Sequence, residues 1–328
     1  MGRCASEIRR SPARRRRMER VPVADRAEVD HGGACMKKDH RESTVGPWAA
    51  AKLDALEAYL KFYGTALSKQ SFTRVYIDAF AGACITKVRG SIVTVEASPF
   101  FNEAEDTEAQ EEFILGSPVR ALNVPNGFHQ HYFFDLDETR AETLRAVSEG
   151  RNGVTVQVGD CNPLIRNLAP SLKARNIRGV AFLDPYGAHL EWATLEALAE
   201  TGTMEVVINF PLAMAINRLI TRSGDVPERW ADQLTACFGT NEWRNIAYSR
   251  EVDLFGNEVT TKYGDVAERL LDLYVGRLKM LFPFVAKPHL IRNTRNAPLY
   301  YLIWAGPNKL GLKGADYILR QGERVQIR

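Results

Sequence analysis

Four patterns are missing from this 328-residue chain, and each closes off a class of function. The five cysteines (Cys4, Cys35, Cys84, Cys161 and Cys237) never pair as C-x-x-C, and the six histidines supply no partner cluster. Zinc and iron–sulfur sites need clustered ligands, so no metal is expected. A polar stretch, Arg20–Asp30, stands where a secretory signal would carry its apolar segment, and the cysteines read as reduced thiols of a cytoplasmic protein. No apolar run approaches the ~18 residues a membrane helix needs. The nearest, Val206–Ile216, is interrupted by Asn209 and Pro211. Neither G-x-G-x-x-G nor G-x-x-x-x-G-K-[ST] occurs. A pyrophosphate or a nucleotide phosphate therefore lacks its usual backbone cradle.

Bulk charge is equally uninformative about a polyanionic partner. The formal net charge of +3 conceals nine Arg against five acids in residues 1–36, a net of +4, while the remainder carries 34 basic and 35 acidic residues. The body is close to neutral, which gives no general argument for nucleic acid. The Arg-rich start reads as a solvated leader, or as upstream sequence ahead of a start at Met18 or Met36.

Four short apolar runs that each stop at an aspartate are present. They are Val75-Tyr76-Ile77-Asp78, Tyr132-Phe133-Phe134-Asp135, Val156-Gln157-Val158-Gly159-Asp160 and Ala181-Phe182-Leu183-Asp184. Ligands of open parallel sheets bind outside the carboxyl ends of the strands, so four acidic ends in order line one crevice. Singly, each aspartate could instead cap the helix that follows its strand. Gly82, after the first strand, permits close backbone approach. A ligand with an adenosine but no phosphates fits best: Asp78 faces a cationic group, and Asp135 or Asp137 takes ribose hydroxyls.

Between these ends the pattern alternates. Leu53, Leu56, Leu60, Tyr63 and Leu67 make the apolar stripe of a helix over 48–67, with Gly64 weakening its last turn. Strands are expected at 74–78, 131–136, 153–158, 179–184 and 205–210, with helices at 138–149, 162–174 and 190–200. Ser117-Pro118 reads as a helix start with Ser as cap, and the acidic stretch before it, through Glu112, as a solvated loop. The fold class is α/β: a doubly wound, mostly parallel, seven-stranded Rossmann-like sheet. Phe284–Ile291 and Leu299–Ala305 form an antiparallel hairpin at its edge. The organisation is a leader at 1–46, an α/β domain at 47–211 and 282–328, and a helical insertion at 212–281.

These residues resemble a class I S-adenosylmethionine-dependent methyltransferase. The resemblance implies that Asp78, Phe80 and Gly82 form the first cofactor loop, with Asp135 on the ribose and Leu136 on the adenine. Asp160 and Cys161 then sit beside the adenine amino group. A narrower resemblance covers nearly all of Trp48–Trp304. Trp48, Lys52-Leu53, Tyr59-Leu60, Ile77-Asp78-Ala79-Phe80-Ala81-Gly82, Gly116-Ser117-Pro118, Phe182–Gly187 and Asn209-Phe210-Pro211 look like the three-Cys-motif partner (TcmP) family of bacterial and phage-associated proteins. That resemblance implies an encoded partner, a radical-SAM-like protein holding three cysteines, which agrees with the absence of the motif here.

Asp184-Pro185-Tyr186 is similar to the [DNS]-P-P-[YFW] segment of enzymes that methylate base amino groups, one proline short. The resemblance makes Asp184, Pro185 and Tyr186 the candidate catalytic residues, Asp184 accepting amino hydrogens and Tyr186 stacking on a base. Without it, Asp184-Pro185 is a strand stop. His189 could shuttle a proton, and Arg292, Asn293, Arg295 and Asn296 could meet phosphate, although an exposed polar turn explains them equally well. The alternative from another class is a non-catalytic interaction subunit.

Overall fold

Val75 and Ile77 belong to one hydrophobic core and Tyr76, between them, to another. That alternation is what a strand covered on both faces requires. It repeats in the neighbouring strands, where Ala181 and Leu183 face the first core and Val180 and Phe182 the second. A computed structural model describes residues 44–45, 47–88, 112–252, 255–293 and 295–319 of the chain. The Arg-rich leader before residue 44 and most of the acidic stretch before Glu112 lie outside the described residues.

The central sheet contains β1 (Thr73–Asp78), β2 (Gln130–Asp135), β3 (Val154–Val158), β4 (Ile177–Leu183) and β5 (Met204–Phe210), followed by β6 (Phe284–Val285), β7 (His289–Arg292) and β8 (Pro298–Gly306). Its order is β6-β8-β5-β4-β1-β2-β3, with β7 also on β8. β3 through β5 are parallel, and β8 runs antiparallel to β5, β6 and β7. The expected seven-stranded α/β sheet with an antiparallel edge is thus observed, with its edge strand split in two. The split falls at Lys287-Pro288, and proline has no N–H to give to a ladder.

One face carries α4 (Cys161–Leu168), α5 (Trp192–Glu200), α6 (Glu228–Phe238) and α7 (Val266–Leu281). The other carries α1 (Pro47–Leu67), α2 (Ser117–Leu122), α3 (Glu138–Val147) and α8 (Lys309–Leu319). The segment 212–281 shares the sheet's core: Tyr274 of α7 stacks on Phe210 of β5 at 4.0 Å. It is not wholly helical, since Tyr248–Val252 and Glu258–Lys262 pair as an antiparallel hairpin.

Three local expectations are corrected. Gly116, not Ser117, caps α2, and no side chain caps it, because glycine has none to offer. Glu112 opens a short strand, Glu112–Leu115, paired with Ile85–Val88. Thr44–Val45, placed by sequence in the leader, adds to that small sheet. The glycine that weakens α1 in sequence terms has a packing reason. A Cβ on Gly64 would stand 2.6 Å from the Asn126 carbonyl oxygen.

Candidate functional site

The chain builds β1, β2 and β3 toward one edge, then crosses back to lay β4 and β5 on the far side of β1. Such a reversal opens a crevice at the carboxyl ends of the strands. The turn after β1 is pinned to both neighbours: Ala79 N–H donates to the Phe182 carbonyl at 3.0 Å, and Ala81 N–H to that of Phe134 at 2.9 Å. Gly82 follows at φ +64°, a conformation L side chains rarely adopt, and donates its N–H to Asp135 Oδ2 at 2.8 Å. Asp135 Oδ1 accepts the Asp137 N–H, also at 2.8 Å. Two backbone donors therefore fix the carboxylate at the end of β2, and each oxygen keeps a lone pair.

A cleft of about 690 Å³ opens along these ends, within the ordinary range for a small-molecule site. Of the sequence-predicted residues, Phe80, Asp135, Leu136, Asp160, Cys161 and Tyr186 line it. Leu136 is 76% exposed and Tyr186 69%, so both side chains present open surface at the cleft. Arg140 of α3 joins the second and fourth strand ends, donating to the Tyr186 hydroxyl at 3.3 Å and standing 3.7 Å from Asp135. Asp232, Gln233 and Ala236 of α6 supply part of the opposite wall. Gln233 hydrogen-bonds His189 at 3.1 Å.

Asp160 proves to be a helix cap as well as a wall residue. Its Oδ1 accepts from Asn162 N at 2.8 Å and Nδ2 at 2.9 Å, while Oδ2 has no partner among the described residues. Asn162, which the sequence gave no reason to single out, also bonds His189 O, Glu191 N and the Thr194 hydroxyl, and so clamps the 189–194 loop against α4. Burial, with Asp160 adjacent, pushes the Cys161 thiol up to about 12. It is a buried group of the cleft wall.

Carboxylates dominate the charge of the cleft. Asp135, Asp137, Asp160, Glu191 and Asp232 line it with Arg140 and His189, and of these acids Glu191 is ion-paired to Arg166. Such a field opposes a phosphate and suits a neutral or cationic ligand. Among the described residues no three His, Cys, Asp or Glu stand where they could hold a metal ion together.

The structure does not bring Asp78, Gly82, Asp184 or Pro185 to the cleft wall. Gly82 is spent on Asp135. Asp78 is fully buried; burial pushes its carboxyl up to about 7, against hydrogen bonds from Ser117 and Tyr76. Its Oδ2 accepts from the Tyr76 hydroxyl at 3.1 Å, and its Oδ1 has no partner. Asp184, two residues from Tyr186, turns toward α1. Lys52 forms an ion pair with its Oδ2, and Asn209 Nδ2 at the end of β5 donates to its Oδ1. Pro185 is buried beside it. A signal for Lys52 existed in the sequence. It lies on the apolar stripe of α1, three residues after Ala49 and four before Leu56, where a lysine needs a partner.

No family model and no curated protein matches the chain. Solved structures do. Protein LPL1258 from Legionella pneumophila, of the family DUF519, is 14% identical with a TM-score of 0.38, over 78% of this chain and 97% of that one. A Listeria monocytogenes protein whose name proposes an S-adenosylmethionine-dependent methyltransferase is 10% identical with a TM-score of 0.32, over 78% and 99%. An S-adenosylmethionine-dependent methyltransferase from Mesorhizobium loti is 11% identical with a TM-score of 0.26, over 55% and 81%.

Proposed function

We propose that the cleft binds S-adenosylmethionine and that the chain is a class I methyltransferase-like protein. One observation carries this reading: an acid-rich cleft with an exposed leucine and a partly exposed phenylalanine, at the reversal point of a sheet that has no phosphate cradle. The residues present fit that cofactor. Asp135 retains lone pairs for ribose hydroxyls, Leu136 and Phe80 offer apolar surface to a flat base, and Asp160 Oδ2 is free to accept from an amino group. When bound, the cofactor supplies an electrophilic methyl on a cationic sulfur, a charge that this cleft favours. The protein's share is positioning, with α6 and Tyr186 confining an acceptor.

The acceptor class we infer is an amino group, on nucleic acid or another macromolecule, near Tyr186 and Asp184. The TcmP resemblance adds a three-cysteine radical-SAM-like protein as the proposed partner. A second reading, a non-catalytic subunit acting through that partner, is favoured by Asp184. Both of its oxygens are occupied by the chain's own groups.

Isothermal titration with S-adenosylmethionine and S-adenosylhomocysteine tests the cofactor assignment. Saturable binding is expected, weakened at least tenfold by Asp135→Ala and by Asp160→Ala. Absence of binding to the wild type refutes the assignment, and binding unchanged in both variants places the cofactor elsewhere.

A further inference from the structure

The side chain of Lys52 enters the strand ends from α1, an element that contributes nothing to the walls of the cleft. Its ammonium meets a carboxylate, Asp184, and stands 5.6 Å from the centre of the Tyr300 ring. A carboxylate beside an aromatic face is a recognition arrangement for alkylammonium groups. Lys52 is 13% exposed and Asp184 22%, so the pair sits just beneath the surface and neither partner is sealed from exchange.

The surroundings hold more acceptors than donors. Asn209 gives its Nδ2 to Asp184, which leaves Oδ1 of the same amide buried without a partner. Asp78 Oδ1 is likewise buried and unpartnered, in a carboxyl that feels the charges of both Asp184 and Lys52. A purely structural ion pair would leave no such surplus, because a buried acceptor without a donor is costly. The Asn209 amide oxygen, on the side chain that already holds Asp184, is an acceptor left open to an N–H donor.

We propose that Asp184, Asn209 and the Tyr300 ring form a subsite for a primary alkylammonium, and that Lys52 is its resting occupant, displaced when a lysine-like amine docks. This deepens the methyltransferase reading and rests on it for the role of the bound amine: the acceptor would be an aliphatic amine and not a base amino group. A resident competitor lowers apparent affinity in proportion to the fraction of sites it fills. Removing Lys52 is therefore expected to tighten binding.

The probe is Nα-acetyl-lysine methylamide, titrated calorimetrically without cofactor, with Nα-acetyl-norleucine methylamide as the uncharged control. Lys52→Ala is expected to bind the lysine probe at least tenfold more tightly than the wild type. Asp184→Asn is expected to lose that binding, and the norleucine control to stay silent throughout. A folded Lys52→Ala chain that binds no probe, or binds it no better than the wild type, overturns the proposal. Lys52→Met, which keeps the stem, replaces the alanine variant if that one does not fold. If neither folds, the pair is a strut and the proposal fails. Since no cofactor takes part, failure of S-adenosylmethionine binding leaves this result standing, and the reverse holds too.

Discussion

Glu205 shows how one side chain can set the pH response of the fold. It lies in β5 with 4% exposure, accepts a hydrogen bond from the Tyr59 hydroxyl, and through it joins Trp304, whose Nε1–H donates to the same hydroxyl at 2.7 Å. Burial raises its carboxyl from 4.5 to about 7. The folded state thus holds the proton more tightly than the unfolded chain. The resulting stability is complete below about pH 4.5 and declines as the pH climbs toward 7. Asp78, raised from 3.8 to about 7, loses stability over nearly the same window. Glu205→Gln keeps a neutral acceptor for Tyr59. Urea denaturation at pH 8 should find the variant more stable than the wild type by about 2 kcal/mol, and at pH 4 nearly equal to it. A difference that stays the same at both values would show that folding leaves the Glu205 carboxyl at its ordinary value. The same scale explains what the sequence hid: the aspartates were visible as strand ends, but which would be buried depended on Ser117 and Lys52 arriving from distant segments.

At the level of elements, α1 offers a contest between propensity and packing. Replacing a mid-helix glycine by alanine ordinarily gains about 1 kcal/mol. At Gly64 the new methyl would press on a backbone oxygen at 2.6 Å, in a turn where Asn126 already holds φ +51°. Overpacking against backbone costs about 1–3 kcal/mol, so Gly64→Ala is expected to lower stability, read as a reduced urea midpoint at constant slope. A raised midpoint would mean that the 125–127 turn yields freely. Strands were the most legible elements because each is a short apolar run with a polar stop. The hairpin Tyr248–Val252/Glu258–Lys262 was not legible. Its residues alternate weakly, most of them are exposed, and the backbone ladder is made only between its own two strands. The cleft followed from the strand ends, whereas the Lys52–Asp184 link joins positions 132 apart and depends on how α1 crosses the sheet.

For the whole molecule, the order of the strands and the order of the chain diverge most at β8. It is made late in sequence, yet it sits between β5 and both edge strands. It also lays Trp304 against Tyr59 and sends the Tyr300 hydroxyl to the Trp48 carbonyl at 3.2 Å. A chain ending at residue 297 would lack β8 and α8. It is expected to show no cooperative thermal transition by circular dichroism, and a native-like transition would show that β1–β5 suffice.

The contact between α1 and α8 carries one more implication. Phe62 of α1 packs so close to Gly314 that a Cβ there would lie 2.2 Å from its ring, and Ala315 and Leu319 share a core with Leu56 and Leu60. During synthesis α1 leaves the ribosome well before α8, which covers part of it. Its leucine and tyrosine stripe must wait for some 250 residues before its cover exists, a delay in which a chaperone or a neighbouring nascent chain competes for the same stripe.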